Sequence, residues 1–549
     1  MNRKSLYLMF VIAIMAVLMV ACSSKGEKEK ASSNEKPQTE LTADDPGWKE
    51  DTSPITFDWY VNFSWFANKW GNDATSKYIT EKTGVTLNLI APAGNEAEKM
   101  NTMIASGKLP DFVTLGWGED AVKQMIEGEL VLPLNELADK YDPYFFKVSD
   151  QGKLEWYRQE NGNVYGYPNA SSSPANFDKY KDQKPSNQTF LVRKDMYEAI
   201  GSPDMRTPEG FLGALEAAQE KFPDVNGVPL IPLGLHEFGD TGNYSLEGYL
   251  QNFLAIPMEK DGELYDRSTD PEYLRWLKVF RQANEDGLLA KDVFIDKRPQ
   301  MEEKIAQGRY FAMLYQRSDM AAQQLALYQN DPDSIYVAVD GPNNENLDTP
   351  TLSGDGLSGW TITLISKDVK DPERAIRFMS YLISEEGQKD IYLGPEGVTY
   401  DNIDGKDQWK PEVFELLNSD RTAFDQKYGA SHTFWMLMDT DMQLQWQPPT
   451  EEPIKQLEEW TKGKTHSFAV FDDINPQGTS SEGVANSKIA QEWGKTLPKL
   501  VLAKSDSEFD KIHKEFLDKR EKLGQEKVRE YQQKRYEENK EKIDKAMQE

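Results

Sequence analysis

Aromatic and amide side chains recur in the predicted loops that follow strands, next to glycine, asparagine, serine or aspartate. The candidate ligand-binding residues of this kind are Tyr60, Asn62, Trp65, Trp117, Tyr167, Asn169, His236, Tyr244 and Trp360. Flat aromatic rings stack on the C–H faces of sugars, and planar amides bind neighbouring hydroxyl groups. Both must line a concave surface to bind a ligand. The pattern is therefore typical of carbohydrate recognition.

Each of these residues also has a structural interpretation, because large aromatic side chains are buried on average. Trp59 shares the alternation of Phe57 in the first strand and is expected in the core, whereas Tyr60 points to the other face. Trp435 lies on a predicted helix face and is also expected in the core.

Trp117 and Trp360 are the strongest ligand candidates, because glycines flank them and glycine is unfavourable inside a packed element. For these two residues the core and the ligand interpretations are evenly balanced. His236 is more typical of a hydrogen-bonded loop histidine than of a ligand contact.

The sequence contains no motif that indicates catalysis or metal binding. Residues 356–360 lack the second glycine of a G-x-S-x-G elbow, and residues 463–465 have Glu458 where a phosphate loop has glycine. The four histidines have no zinc-binding spacing. We therefore expect no catalytic residue, no metal and no cofactor. A pair of glycosidase carboxyls stays open, because its diagnostic is a separation in space.

The first 22 residues have the pattern of an export signal that ends at a lipid attachment site. Arg3 and Lys4 precede an apolar run over residues 6–20, and small Ala21 precedes Cys22, the only cysteine. The run of ~15 residues is shorter than the ~20 of a membrane-spanning helix. One cysteine cannot form an intramolecular disulfide, so its thiol is free for acylation. The sequence predicts a signal peptide over residues 1–21, a lipid on Cys22 and anchoring to the outer face of the cell membrane.

The composition predicts a large, acidic, globular protein. With 549 residues, 38% hydrophobic and 11% aromatic, the chain is long and apolar enough for two or more lobes. Removal of residues 1–21 takes away two positive charges and changes the net charge from −29 to −31. Such a charge repels phosphate backbones and argues against a nucleic-acid partner. We expect a monomer.

Strands and helices alternate at the start of the body. Strands are predicted over residues 55–61, 85–90 and 111–115, and helices over residues 75–82 and 96–106. This alternation is typical of a parallel α/β sheet, which binds ligands at the carboxyl edge of its strands.

Four blocks carry a family resemblance through their order and spacing: residues 103–113 (MIASGKLPDFV), 162–168 (GNVYGYP), 190–195 (FLVRKD) and 359–400. Together they resemble the extracellular solute-binding proteins of ABC importers, family 1, especially the oligosaccharide-binding lipoproteins of Firmicutes. The resemblance implies a bilobal α/β fold of the type II periplasmic-binding-protein class with a hinge and a helical C-terminal tail. It also implies an oligosaccharide ligand, ABC permease subunits as membrane partners, and no enzymatic activity.

The predicted domain boundaries follow from the same pattern. Lobe 1 is expected over residues 54–170 and 359–400, lobe 2 over residues 171–358 and 401–504, and C-terminal helices over residues 505–549, with fraying after Tyr536. A flexible tether is expected over residues 22–53. Hinge candidates are residues 171–174, 341–342 and 353–356.

Relatives of this kind commonly have an acidic calcium-binding loop after the helix that begins near Thr207. Here residues 222–229 offer only Asp224 and Asn226 as ligand side chains, against the six to eight oxygens that calcium takes. We therefore assign no metal-binding residues here, and calcium binding by this chain stays open. Two other classes of function share the main features of the sequence: a secreted carbohydrate-active hydrolase, and a surface adhesion or sensory lipoprotein.

Overall fold

The computed structural model describes residues 41–354, 356–476, 478 and 480–546. The predicted signal peptide, Cys22 and the first part of the tether lie outside the described residues. Among the described residues, every helix is too short or too polar to cross a membrane.

Two sheets form the framework of the body. Their strands are β1 (Ile55–Val61), β2 (Val85–Ile90), β3 (Phe112–Gly116), β4 (Gly166–Pro168), β5 (Gln188–Arg193), β6 (Ile231–Gly234), β7 (Tyr310–Gln316), β8 (Tyr336–Ala338) and β9 (Thr361–Ile365). The first sheet has the order β2-β1-β3-β9-β4, and the second has the order β8-β5-β7-β6. Strand β1 is parallel to β2 and β3, as predicted, and β9 is antiparallel to β3 and β4. In the second sheet β5 is antiparallel to β7 and β8, and β6 is parallel to β7.

Four short strand pairs extend from these sheets. They are Asp224–Val225 with Val228–Pro229, Glu259–Lys260 with Glu263–Leu264, Leu352–Ser353 with Thr465–His466, and Tyr400–Ile403 with Lys406–Trp409.

Helices cover the sheets, and several begin at the caps that the sequence indicates. Thr207 accepts a hydrogen bond from the Gly210 N–H, and Asp371 accepts one from the Arg374 N–H. The α-helices are Ala74–Thr83, Glu96–Ser106, Asp120–Glu127, Leu134–Tyr141, Tyr144–Val148, Gln151–Tyr157, Pro174–Tyr180, Lys194–Ala199, Pro208–Lys221, Leu250–Phe253, Pro271–Glu285, Arg298–Ala306, Ala321–Asn330, Pro372–Ile383, Glu385–Leu393, Pro411–Ser419, Arg421–Lys427, Thr440–Gln443, Glu452–Thr461, Ser481–Val501, Asp506–Leu523 and Gln525–Ala546.

Each sheet has its own hydrophobic core, so the described chain has two lobes. The first core includes buried side chains from Trp48 to Tyr167 and from Leu357 to Trp446. The second core takes its buried side chains mainly from Phe190 to Leu352 and from Trp493 to Phe516. This arrangement matches the predicted α/β fold class with two lobes.

The structure changes one predicted boundary, because residues 401–446 pack in the first core and not in the second. Trp409 stacks on Tyr392 of the helix Glu385–Leu393 with ring centroids 5.1 Å apart, and Trp446 and Phe424 join the same cluster. The sequence shows that these aromatic side chains need burial, but it does not show against which sheet.

The segments that connect the two cores run side by side. The Ser172 N–H donates to the Gly356 carbonyl at 3.0 Å, and the Ser171 hydroxyl donates to the Leu357 carbonyl. The first contact joins two of the predicted hinge stretches, residues 171–174 and 353–356, and the second reaches Leu357, one residue beyond the latter stretch. Residues 341–342, the other candidate, do not connect the cores, because Gly341 packs against Phe190 within the second core.

The C-terminal helices pack on the body and end later than predicted. Tyr536 and Asn539 are buried, and the Asn539 amide donates to the carbonyls of Val470 and Asp472. The Lys542 ammonium then donates to the Trp156 carbonyl of the first lobe. The predicted fraying after Tyr536 is therefore wrong as far as residue 546, because polar side chains of this helix donate to partly buried backbone carbonyls of the body.

The predicted tether is also shorter than expected, because its last residues dock on the first lobe. Trp48 is only 5% exposed and packs on Tyr381 with ring centroids 4.9 Å apart. The Gly47 N–H donates to the Asp142 carboxylate, and the Arg374 guanidinium donates to the Ser53 carbonyl. A single tryptophan in a polar stretch gives no periodicity, so the sequence did not reveal this contact.

The Trp48→Ala variant is expected to lose about 3–5 kcal/mol of unfolding free energy, because a buried ring is replaced by a cavity. Chemical denaturation measures this loss. Limited proteolysis should also show faster cleavage within residues 41–53. An unchanged denaturation midpoint would mean that this segment contributes nothing to the fold.

Candidate functional site

Exposed tryptophans cluster at the carboxyl edge of the first sheet. Trp65 is 58% exposed and Trp360 is 44% exposed. Their rings are nearly parallel, with an interplanar angle of 13° and centroids 6.2 Å apart. Trp435 lies 5.0 Å from Trp65 and 5.1 Å from Trp360. We call this surface the aromatic wall; its members are Phe63, Trp65, Phe66, Trp360 and Trp435.

A buried amide positions two members of the wall. The Asn169 side chain accepts from the Thr361 N–H at 2.6 Å and from the Trp360 N–H at 3.3 Å, and its amide donates to the Trp435 carbonyl. Gly359 approaches so closely that a Cβ there would lie 2.1 Å from the Asn169 carbonyl oxygen. Asn169 is fully buried, and its side chain positions the wall.

Trp435 was missed as a site residue. The sequence indicates a helix face around this position and therefore a core role, but the structure forms only the short 3-10 turn Phe434–Met436 there. Phe434 and Met436 are buried and Trp435 is half-buried on the wall. No local signal separates these neighbours, because a 3-10 turn is too short to show a period.

A polar network lies beside the wall. The buried Tyr60 hydroxyl donates to the Asn62 side chain at 3.0 Å, and the Asn62 amide donates to Glu119 at 2.8 Å. Burial, Glu96 and Glu119 raise the pKa of Tyr60 to about 12. Tyr60 lies on the strand face opposite Trp59, as predicted, and is nevertheless buried, because strand β1 is interior to its sheet and is covered on both faces. Tyr60 and Asn62 are therefore both buried in this network, and their predicted contact with a ligand stays a prediction.

Trp117 and Tyr167 lie behind the exposed surface. Trp117 is half-buried, packs edge-on against Tyr157 at 4.5 Å, and donates from its backbone N–H to the Trp360 carbonyl. Tyr167 is buried against Phe145, and burial raises its pKa to about 12. The indole nitrogen of Trp117 has no hydrogen-bond partner within the described part of the chain. Trp117 supports the wall, and Tyr167 belongs to the core.

A second aromatic surface lies at the end of strands β6 and β7 in the other sheet. His236 is buried, and its ring lies 4.3 Å from Tyr315, 5.5 Å from Tyr249 and 5.8 Å from Tyr244. Tyr244 is 73% exposed. The structure thus brings the predicted residues His236 and Tyr244 together, and it adds two tyrosines that sequence reasoning assigned to no site.

The loop that carries Tyr244 rests on a buried carboxyl group. Glu247 accepts from the Asn243 N–H and from the Trp493 indole at 2.8 Å. Burial raises the pKa of Glu247 to about 7, well above its ordinary value. Because the folded-state pKa is above the unfolded one, this group stabilises the fold below about pH 4.5 and loses that contribution as the pH rises through about 7.

As the pH rises from 5 to 8, ionisation of Glu247 is expected to lower the unfolding free energy by on the order of 2–3 kcal/mol. The measurement is urea denaturation at both pH values for the wild type and for Glu247→Gln. The variant, which cannot ionise, should show a smaller pH dependence. Equal pH dependence in both proteins would contradict the prediction.

The loop where relatives can hold calcium forms a tight hairpin instead. Asp224 accepts from the Gly227 N–H at 2.8 Å between the strand pairs Asp224–Val225 and Val228–Pro229. Its carboxylate is thus engaged in the turn. Within the described residues, no group of three or more histidine, cysteine, aspartate or glutamate side chains could hold a metal ion.

Comparison with known proteins places the chain among binding proteins. The family described as bacterial extracellular solute-binding protein matches residues 74–398, more than half of the chain. Lipoprotein LipO of Bacillus subtilis (strain 168) is 22% identical over 404 residues, covering 72% of this chain and 73% of LipO. The fructooligosaccharide ABC transporter substrate-binding protein FusA of Streptococcus pneumoniae serotype 4 is 25% identical over 231 residues. The match covers 39% of this chain and 41% of FusA.

Solved structures of similar shape show the same fold. FusA from S. pneumoniae in complex with kestose has a TM-score of 0.64 at 16% identity, covering 88% of this chain and 99% of that chain. The alginate-binding protein AlgQ2, crystallised without calcium ion, has a TM-score of 0.63 at 19% identity. The match covers 88% of this chain and 98% of AlgQ2. At this identity the likeness establishes the fold, which is the predicted bilobal α/β class.

Proposed function

The chain belongs to the bacterial extracellular solute-binding protein family, and from this premise we propose that it captures an oligosaccharide outside the cell and delivers it to an ABC importer. The observation that carries the proposal is the pair of exposed, nearly parallel tryptophans, Trp65 and Trp360, braced by Trp435. Exposed aromatic clusters of this kind mark binding surfaces.

The geometry of the wall indicates where a sugar ring stacks. A ring held between two aromatic faces needs about 3.5–4 Å of contact distance on each side, or roughly 7–8 Å in all. The centroids of Trp65 and Trp360 are only 6.2 Å apart. A sugar therefore does not insert between these two rings and stacks on their outward faces.

The second aromatic surface supplies the opposite side of the site in this proposal. Tyr244 and His236 belong to the second lobe, whereas the wall belongs to the first. Lobe closure about the paired segments near Ser172 and Gly356 would bring them onto one ligand. A ligand that binds the closed state more tightly shifts the population toward that state.

The relatives and the sequence support the rest of the proposal. One relative is named as a fructooligosaccharide-binding component of an ABC transporter, and another is named as a lipoprotein. In this chain the lipid is attached to Cys22 after removal of residues 1–21, and a tether that ends near Pro46 holds a monomeric body on the outer membrane face. The permease subunits receive the closed form, and the sugar is released uncleaved.

The test uses the soluble form that begins at Ser23 and a panel of plant and microbial oligosaccharides. Thermal shift and tryptophan fluorescence report binding, and chromatography of the mixtures reports cleavage. A ligand at ~100 times its Kd adds ~2.7 kcal/mol of stability. Stabilisation by an intact saccharide supports the proposal, cleavage supports a hydrolase, and no response across the panel contradicts sugar capture.

A further inference from the structure

Two carboxylates, Glu96 and Glu119, adjoin the aromatic wall. The Glu96 carboxylate accepts a hydrogen bond from the Ser64 N–H at 2.6 Å. Ser64 lies between Phe63 and Trp65, two members of the wall. Glu119 accepts from the Gly116 N–H at 2.9 Å and from the Asn62 amide. Among the residues that the structure describes, neither carboxylate has a lysine, arginine or histidine nitrogen within ion-pair distance. Within the described residues, hydrogen-bond donors and no ion-paired cation therefore stabilise the negative charge beside the wall.

Two arginines near the second aromatic surface are paired with carboxylates, and the Lys297 ammonium donates to the Phe238 carbonyl. The Arg298 guanidinium pairs with Asp319 at 2.9 Å and with Glu302 at 2.7 Å. The Arg317 guanidinium pairs with Glu458 at 3.0 Å. These arginines therefore already have carboxylate partners, and an incoming anion would have to compete with them.

We propose that this site selects uncharged saccharides and rejects those that carry carboxylate or sulfate groups. The inference rests on the proposed function and names the class of sugar. Ionised carboxylates accept hydrogen bonds from neutral sugar hydroxyls, whereas two carboxylates offer each other no donor. An anionic sugar therefore loses hydrogen bonds at these positions. Repulsion between like charges a few ångströms apart in a partly buried site weakens its binding further. We expect at least tenfold discrimination, about 1.4 kcal/mol.

The experiment compares one oligosaccharide in three forms by isothermal titration calorimetry. The forms are a neutral saccharide that stabilises the protein in the panel, its C6-oxidised uronate, and the methyl ester of that uronate. The uronate should bind at least tenfold more weakly in 20 mM salt. The methyl ester, which is slightly bulkier than the uronate but uncharged, should recover most of the affinity. Salt at 500 mM should reduce the difference in affinity between the neutral saccharide and the uronate.

Matched variants assign the effect to the wall. Glu96→Gln keeps an oxygen for the Ser64 N–H and should reduce the discrimination about threefold or more. Glu216→Gln removes the same charge from an exposed position on the helix Pro208–Lys221 and should leave the discrimination unchanged. If Glu96→Gln does not fold, the salt and ester comparisons on the wild-type protein still test whether charge causes the discrimination.

Equal or tighter binding of the uronate overturns the inference. The panel also contains natural oligouronates, such as alginate and galacturonate oligomers. If only these bind and remain intact, sugar capture stands and charge rejection is wrong. If no saccharide of either kind binds, both the proposed function and this inference are contradicted.

Discussion

Replacing Trp360 by alanine is expected to weaken saccharide binding roughly 10- to 100-fold, because central aromatic residues contribute most of the energy of a binding surface. The ring is 44% exposed in the free protein, so its removal leaves only a small cavity. The unfolding free energy should therefore fall by only ~1 kcal/mol. Calorimetric titration of the best ligand from the panel and urea denaturation measure the two effects separately.

Trp48→Ala is the matched control for Trp360→Ala. It removes the same side chain from a site on the first lobe where the ring packs on Tyr381. We expect the reverse pattern: lower stability and unchanged affinity. Unchanged affinity in Trp360→Ala, or a stability loss as large as that of Trp48→Ala, would show that the wall is part of the core and not a ligand surface.

Replacing Lys153 by methionine is expected to cost about 3–5 kcal/mol of unfolding free energy, because it leaves the carboxylate of Asp439 buried without its partner. Lys153 is 2% exposed, and its ammonium lies 3.0 Å from the Asp439 carboxylate. Burial alone would lower the pKa of Lys153, but attraction to Asp439 raises it above its ordinary value. This contact joins the helix Gln151–Tyr157 to the segment that leads toward the second lobe.

The stabilisation by the Lys153–Asp439 pair should also depend on pH. Burial opposes ionisation of Asp439, but Lys153 lowers its pKa below the ordinary value. The pair therefore stabilises the fold above about pH 4, the ordinary aspartate range, and loses that contribution as the pH falls through the folded-state value. Chemical denaturation at pH 7 and pH 3 should show a smaller difference for Lys153→Met than for the wild type.

Lys147→Met is the control for Lys153→Met. Lys147 pairs with Asp44 at 2.7 Å, but both side chains are exposed to solvent. Exposed pairs contribute little to stability, so the melting temperature should not change measurably. A Lys153→Met variant as stable as this control would mean that Asp439 finds another partner or becomes neutral.

The sequence by itself determined the local elements and the family. Alternating apolar residues located β1 and β2, and the capped helices at Pro208 and Pro372 begin where Thr207 and Asp371 indicate. Motif order along residues 103–400 indicated the solute-binding family, which the comparison shows over residues 74–398. Such signals are local, because caps and periods depend on neighbouring residues only.

Only the tertiary structure decided which aromatic side chains form a surface. Trp65, Trp360 and Trp435 come from three distant parts of the chain and meet at one edge of a sheet. Tyr60 and Asn169 looked equally suitable in sequence but are buried, the first in a strand covered on both faces and the second under the wall. A hydrophobic pattern predicts that a side chain is buried. Which residues it packs against depends on contacts between positions hundreds of residues apart.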